Sequence, residues 1–217
     1  MGNGRYLYFA YGSNLWVEQM DNRCPGQNRI AGIGRLPGYT WFINERGYAN
    51  IAPVTINQSG KSESQGSVSR FDSEVWGVIW ELEEKGLASL DINEGAPHIY
   101  ERRTMNVELW SAFGPIWPGD VTESTPTDLS AHTCPMVVYI DVKRAKGGYP
   151  PKEEYVVRMN RGIRDAIGMG IPKGYVERVL RRYIPPLEDL MVDEKTEKLA
   201  WKQAKNFQDE PEVATLN

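Results

Sequence analysis

The stretch Tyr6-Leu-Tyr-Phe-Ala-Tyr-Gly-Ser-Asn-Leu15 reads as a strand that runs through a turn into a helix. Tyr6, Leu7, Tyr8 and Phe9 are β-formers in a nearly continuous apolar run, which predicts a strand buried on both faces. Gly12 interrupts the run and permits a tight turn. Ser13 and Asn14 are favoured N-cap residues, and Leu15, Trp16 and Met20 give the following helix an apolar stripe. A strand-to-helix turn of this kind leaves backbone N–H groups of residues 12–15 pointing outward. They offer a place for a carboxylate or a developing oxyanion.

The 217 residues around this stretch suit one domain with a substantial core and an appended tail. The formal net charge is only −4 and no segment is strongly basic, which argues against a nucleic-acid partner. Arg161, Arg164, Arg178, Arg181 and Arg182 lie among acids on helical stretches and read as a solvated face. There is no apolar run of about 18 residues and no N-terminal signal pattern. The expectation is a soluble, cytoplasmic protein with no membrane partner. Cys24 and Cys134 are the two cysteines, read as free thiols in a reducing compartment.

Further along, residues 26–43 read as one long, bent strand with breaks, and Gly47-Tyr-Ala-Asn-Ile51 leads into another. Residues 58–70 are small and polar, a mobile loop by composition. Glu74-Val-Trp-Gly-Val-Ile-Trp-Glu-Leu82 is a clear strand. Leu82, Leu87, Leu90 and Ile92 then suggest a short helix ending at Asn93-Glu94-Gly95. Residues 98–110 and 136–142 alternate as strands. Between them residues 111–135 form a long Pro/Ser/Thr-rich loop that could cover a site. Residues 150–184 carry two helical stretches around a Gly-rich turn, with Pro172 in the first turn of the second. A domain over residues 1–186 is therefore followed by a charged, partly helical tail, 187–217, with Leu199 and Trp201 as its apolar anchors. Several strands, few helices and Gly-marked bends point to an α+β fold with a closed or nearly closed mixed sheet.

Four segments together resemble the γ-glutamylcyclotransferase family, enzymes that cut a γ-glutamyl amide and release 5-oxoproline. The string Phe9-Ala-Tyr-Gly-Ser-Asn-Leu15 is similar to the family's opening motif. Gly47-Tyr-Ala-Asn-Ile51 matches a Gly-x-Ala-x-Ile segment, and Val75-Trp-Gly-Val-Ile-Trp80 matches a Val-Trp-Gly-Val-x-Trp strand. Leu90, Asp91, Glu94, Gly95 and Tyr100 fall on the family's Leu-Asp-x-x-Glu-Gly pattern with its following Tyr. The resemblance implies a small β-barrel flanked by helices over roughly residues 5–185. It also implies that Glu94 is the catalytic acid/base, and that Tyr11, Tyr100 and Tyr155 stand at pocket positions.

Taken alone, Glu94 is a carboxylate at a helix C-terminus, where the macrodipole disfavours negative charge and would raise its pKa. A γ-glutamyl amide asks little of an enzyme. The substrate's α-amine can reach its own γ-carbonyl, so holding the bent conformer and moving protons suffices. The N–H groups of Gly12, Ser13, Asn14 and Leu15 would bind the γ-carbonyl oxygen or the α-carboxylate. Neither a metal nor an organic cofactor is expected, since His98, His132 and two distant cysteines make no metal-ligand spacing. Ser13 lacks a Gly-x-Ser-x-Gly setting and is read as a backbone-binding and capping residue, not a nucleophile. Arg35 could be structural or touch substrate, and Asp91 could orient a helix end.

The partner expected is a small γ-glutamyl compound, with monomer and homodimer both open. Trp41, Trp76, Trp80, Trp110 and Trp117, with the 111–135 loop, raise a second possibility. It is a tailoring enzyme of secondary metabolism that trims γ-glutamyl groups from a glutathione conjugate with a large apolar leaving group. Tryptophans that merely fill the barrel are the simpler alternative. A non-catalytic binding module on the same fold is a third reading.

Overall fold

The computed structural model describes residues 4–54, 69–110, 122 and 132–207. The calls on residues 58–68, on most of the 111–135 loop including Trp117, and on the chain after 207 lie outside the described residues. Among the described residues seven strands and five α-helices follow in order: β1 (Arg5–Ala10), α1 (Val17–Arg23), β2 (Asn28–Pro37), β3 (Tyr39–Ile43), β4 (Ala49–Pro53), β5 (Glu74–Glu83), α2 (Glu84–Asn93), β6 (Glu101–Trp110), β7 (Thr133–Ile140), α3 (Glu153–Met169), α4 (Lys173–Arg178) and α5 (Glu194–Lys205).

Five strands close a barrel in the order β1-β5-β2-β6-β7, while β3 and β4 form a separate two-stranded sheet. All barrel pairings are antiparallel except β1 with β7, which is parallel and meets at Tyr8 and Val137. This is the mixed, closed α+β architecture expected. Its core strand is β5, an apolar run buried along nearly its whole length between β1 and β2. Gly77 is what lets β5 lie so close to β1. A Cβ there would come within 2.1 Å of the Ala10 carbonyl oxygen and 2.8 Å of the Phe9 ring.

Two strand readings need correction. The segment 26–43 is not one bent strand but β2 and β3 in different sheets. Gly38 separates them with φ +78°, a left-handed conformation that a residue bearing a Cβ resists. Nor is β1 buried throughout. Arg5 and Tyr6 are exposed, Leu7 is half-buried, and only Tyr8, Phe9 and Ala10 are covered. Their apolar character stabilises the half of the strand that leads into the turn.

Directly paired residues of antiparallel strands place their side chains on one face. Tyr8 and Trp80 are such a pair, and both reach Asn14: its Nδ2 donates to the Tyr8 hydroxyl at 2.9 Å, and its carbonyl accepts from Trp80 Nε1 at 3.1 Å. The opposite face carries Phe9 against Gly34 and Gly77. The site described below therefore grows from the β1–β5 pair by register alone.

The helices cover this face. The C-terminal α5 packs on α3 and α1, burying Ala200, Gln203 and Ala204. Trp201 and Trp16 meet edge to face at 4.8 Å, and the Arg161 guanidinium lies about 5 Å from both rings. Arg161 also pairs with Glu197, while Arg178 and Arg182 pair with Asp72. Arg161, Arg178 and Arg182, read as part of a solvated face, thus pin helices and turns to one another, while Arg164 is exposed as read. Pro172 precedes α4 as its N-cap. Cys24 and Cys134 are free thiols. Among the described residues no helix is long and apolar enough to cross a membrane.

Candidate functional site

The turn after β1 is a short 3-10 helix, Ser13–Leu15, in which the Leu15 N–H is donated to the Gly12 carbonyl at 2.9 Å. The side chains of Ser13 and Asn14 cap nothing. Helix α1 begins instead after Trp16, and its Val17 N–H is taken by the Asp165 carboxylate of α3 at 3.1 Å. The capping expectation fails because these two side chains are drawn inward. Ser13 Oγ accepts from Gln19 Nε2 at 3.0 Å and from Arg158 Nη1 at 2.9 Å. Asn14 Nδ2 donates to Glu94 Oε1 at 2.8 Å. Leu15 also departs from expectation. Its N–H is spent, its side chain is fully buried, and it does not line the cavity.

Glu94 comes from the far side of the sequence. Helix α2 ends in a Schellman arrangement, with Ala96 N–H returning to the Asp91 carbonyl at 2.9 Å and Gly95 N–H to Ile92 at 3.1 Å. That closure fixes Glu94 at the C-cap and turns its carboxylate toward Asn14. The nearest cation is Arg23 of α1, with Nη1 3.6 Å from Glu94 Oε1. The Glu94 side chain keeps 14% of its surface exposed. Burial raises its pKa above the ordinary carboxylate value, and Arg23, Asn14, Arg158 and Arg46 pull against that rise. The direction matches the reading from the helix end, but desolvation is the dominant cause.

Glu94 faces a cavity that opens to solvent. Glu94, Tyr11, Gly12, Ser13, Asn14, Tyr100 and Tyr155 all line it, so the structure brings together every site residue read from the sequence except Leu15. The three tyrosines are tied down. Tyr11 donates to the Tyr139 carbonyl at 2.5 Å and Tyr100 to the Ala49 carbonyl at 3.2 Å, while the Tyr155 hydroxyl accepts from the Ala49 N–H at 3.3 Å. Burial lifts the pKa of Tyr11 and Tyr100 well above the ordinary phenol value and pushes that of Tyr155 up to about 12, so all three are neutral at physiological pH.

Arg35 is not at the cavity. It is buried between Glu74 at 2.6 Å and Glu108 at 2.7 Å, which decides for the structural reading. Asp91 stands outside as well, accepting from Arg102 at 2.7 Å and from the Tyr139 hydroxyl at 2.6 Å. Trp41, Trp76, Trp80 and Trp110 are all buried in the core and none lines the cavity, so among the described residues they supply no apolar surface for a large leaving group. Among the described residues there is also no cluster of three or more His, Cys, Asp or Glu that could hold a metal.

Several lining residues escaped the sequence reading: Tyr8, Arg23, Tyr48, Tyr139, Arg158 and Phe207. Arg158 had a signal. It interrupts the apolar stretch Tyr155-Val-Val of α3, and its guanidinium is buried in a two-point pair with Glu154 at 2.7 and 3.0 Å. Burial alone would lower its pKa, but Glu154 outweighs that and raises it. Arg23 lies one turn beyond Gln19 on α1, on the same face. Phe207 had none, for it enters the cavity wall from beyond the last helix.

A family model described as gamma-glutamyl cyclotransferase, AIG2-like, matches residues 8–121, and one described as AIG2-like family matches residues 74–179. The gamma-glutamylcyclotransferases of Bos taurus and Homo sapiens are each 34% identical to this chain over 94 residues. That stretch is 42% of this chain, and it spans 44% of each relative's length, less than half. Among solved structures, an uncharacterized human protein covers 91% of this chain and 98% of its own, at TM-score 0.58 and 22% identity. One titled gamma-glutamyl cyclotransferase covers 92% of this chain and 99% of its own, at TM-score 0.57 and 22% identity. These two likenesses concern the fold.

Proposed function

The chain belongs to the gamma-glutamyl cyclotransferase, AIG2-like family, and on that premise we propose that it cleaves a γ-glutamyl amide by internal attack, releasing 5-oxoproline and a free amine or amino acid. One observation carries this reading. A carboxylate of raised pKa, Glu94, is held by the Asn14 side chain inside a cavity walled by the Gly12–Ser13–Asn14 backbone and neutral tyrosines.

The chemistry follows from what the reaction needs. The substrate's α-ammonium must lose a proton to become a nucleophile, and Glu94 is the base that takes it. The amine nitrogen then bonds to the γ-carbonyl carbon, and charge gathers on the carbonyl oxygen. Backbone N–H groups of Gly12 and Asn14 stabilise that oxygen or anchor the α-carboxylate, while the Ser13 N–H is turned to the Tyr155 hydroxyl. Glu94 returns its proton to the departing nitrogen as the amide C–N bond breaks, and the second proton shed by the ring nitrogen ends on the freed amine, which leaves as an ammonium. Ring closure replaces one C–N bond by another, so proton transfer and conformer selection supply the acceleration. Tyr11, Tyr100 and Tyr155, each already oriented by a backbone hydrogen bond, wall the glutamyl group and exclude water that would otherwise yield glutamate. Asn14 keeps Glu94 aimed into the cavity.

The experiment is a panel of γ-glutamyl amino acids, peptides and amines with 5-oxoproline and glutamate both measured. Turnover of at least one member with 5-oxoproline as product supports the proposal. Free glutamate as the sole product, or no turnover across the panel, counts against it.

A further inference from the structure

Arg23 has no part in the steps above, yet it is a buried cation placed within 3.6 Å of Glu94. Its guanidinium is held at every arm. Nη1 donates to Asn14 Oδ1 at 2.9 Å, Nε to the Ala204 carbonyl at 3.2 Å and Nη2 to the Gln203 carbonyl at 3.1 Å. Those two carbonyls belong to the last turn of α5, where helical carbonyls lack intrahelical partners and the macrodipole is negative. The helix C-terminus is thus a natural cation seat, and this one is filled by a side chain 180 residues away in sequence. Beyond it, the Phe207 N–H is donated to Asn93 Oδ1 at 3.3 Å, next to Glu94 in sequence. The Phe207 ring meets Tyr48 edge to face at 5.2 Å and lies 6.0 Å from the Arg23 guanidinium.

We propose that Arg23 is the positioning residue for Glu94 and that α5 is the clamp that holds Arg23, which makes the C-terminal helix a working part of the site. The inference rests on Glu94 being the acid/base of the proposed reaction. The geometry gives α5 two grips on the same point, one through the carbonyls that seat Arg23 and one through Phe207 at Asn93. A cation fixed there favours the ionised carboxylate, the form that accepts a proton, and keeps Asn14 turned toward it. Burial lowers the Arg23 pKa to about 10, which still leaves it charged at physiological pH. The other titratable or charged groups facing Glu94 are Tyr8 on β1, Tyr11 after it, Cys24 after α1, Arg46 between β3 and β4, Tyr100 before β6, Tyr139 on β7, and Tyr155 and Arg158 on α3. The tyrosines and Cys24 are neutral at physiological pH. Arg46 and Arg158 are the remaining cations and contribute less than Arg23.

The test reads the ionisation of Glu94 directly, by NMR of carboxyl-labelled full-length protein across a pH series, alongside the pH profile of kcat/KM. Arg23→Gln removes the charge, and the Glu94 midpoint is expected to rise by about one pH unit, the usual effect of an opposite charge at this range. Arg23→Lys restores the charge and is expected to bring the midpoint part of the way back. Ala200→Pro breaks α5 in its interior without touching the cavity, and should raise the midpoint although Arg23 is intact. Should that variant not fold, Trp201→Ala takes its place as a milder loosening of α5. An unchanged Glu94 midpoint in Arg23→Gln, or in whichever α5 variant folds, overturns the inference. If the midpoint moves as expected but no γ-glutamyl compound is turned over, the proposed function fails while the clamp stands.

Discussion

Glu94→Gln separates proton transfer from everything else the residue does. The carboxamide keeps the side chain's length, and its Oε1 can still accept the Asn14 Nδ2 hydrogen bond made now at 2.8 Å. What disappears is the ability to take a proton. A positioned acid or base contributes about 10²–10⁴-fold, so turnover should fall by that factor, about 2.7–5.5 kcal/mol of barrier at 1.36 kcal/mol per decade. Substrate affinity should change far less, because the Gly12–Asn14 backbone and the tyrosines stay in place. Stability should change little as well. Arg23 loses a carboxylate at 3.6 Å but keeps three acceptors, on Asn14, Gln203 and Ala204. A loss within about 1 kcal/mol is expected, a shift of roughly 2–4 °C in Tm for a chain of this size. The assay is 5-oxoproline release under single-turnover conditions, with substrate binding followed by calorimetry and folding by thermal melting. Near-parental turnover in a folded Gln variant would remove Glu94 from the chemistry. A collapse of Tm would instead show that its role is structural.

The raised pKa of Glu94 also makes a prediction about stability. Its folded value lies above the ordinary value of 4.5, so the folded protein binds the proton more tightly than the unfolded chain. The parent should therefore gain stability relative to Glu94→Gln as pH falls through the folded pKa, with no further gain once pH is below the unfolded value. Denaturant titrations of both proteins from pH 7 to pH 4 check the sign, and a difference that is flat or reversed refutes it. Turnover is expected to survive dialysis against EDTA, because ring closure by the α-amine needs only proton transfer. Activity lost on chelation and regained with a divalent ion would contradict the mechanism. Gly77→Ala should damage the fold and not the chemistry, since its Cβ would sit 2.1 Å from the Ala10 carbonyl oxygen. A loss on the order of 3 kcal/mol or more is expected from forcing β5 away from β1, and a variant with a parental urea midpoint would disprove the close approach.

What was legible in the sequence is what local patterning encodes. The β5 run, the helix that stops at Glu94-Gly95 and the Gly12 turn all carry their signal within a few residues, and each stands where it was read. The failures share another cause. Ser13 and Asn14 look like N-caps because capping is the commonest local use of their side chains. Tertiary partners outbid that use, since Arg158 and Gln19 claim Ser13 while Glu94, Gln19 and Arg23 claim Asn14. An α-helix starting at this turn would leave the Leu15 N–H outward, whereas 3-10 bonding spends that group on Gly12. The break at Gly38 was visible as a glycine, but nothing local said that the next strand would leave the sheet. Phe207 reaches the site from beyond α5, and the α5 carbonyls that hold Arg23 come from nearly the whole chain away, so neither contact has a local signal.

Asn14 shows how such long-range contacts set chemistry as well as shape. An amide can present either its oxygen or its NH₂ to a neighbour, and the choice follows from what surrounds it. Arg23 can only donate, so the Asn14 oxygen must face it. The NH₂ is then left for acceptors, and the two it finds are the Tyr8 hydroxyl and Glu94 Oε1. Tyr8 is held in place by its strand register opposite Trp80, whose indole N–H in turn anchors the Asn14 carbonyl. The orientation of one carboxylate thus depends on a barrel register, a 3-10 turn, and an arginine seated on the end of the last helix. Most of these links are hydrogen bonds between buried groups, where a missing partner costs about 1–3 kcal/mol. That cost holds the carboxylate in one geometry before any substrate arrives. Under the proposed function, a substitution along the contacts from α5 to Glu94 is therefore expected to show as a change in kcat/KM.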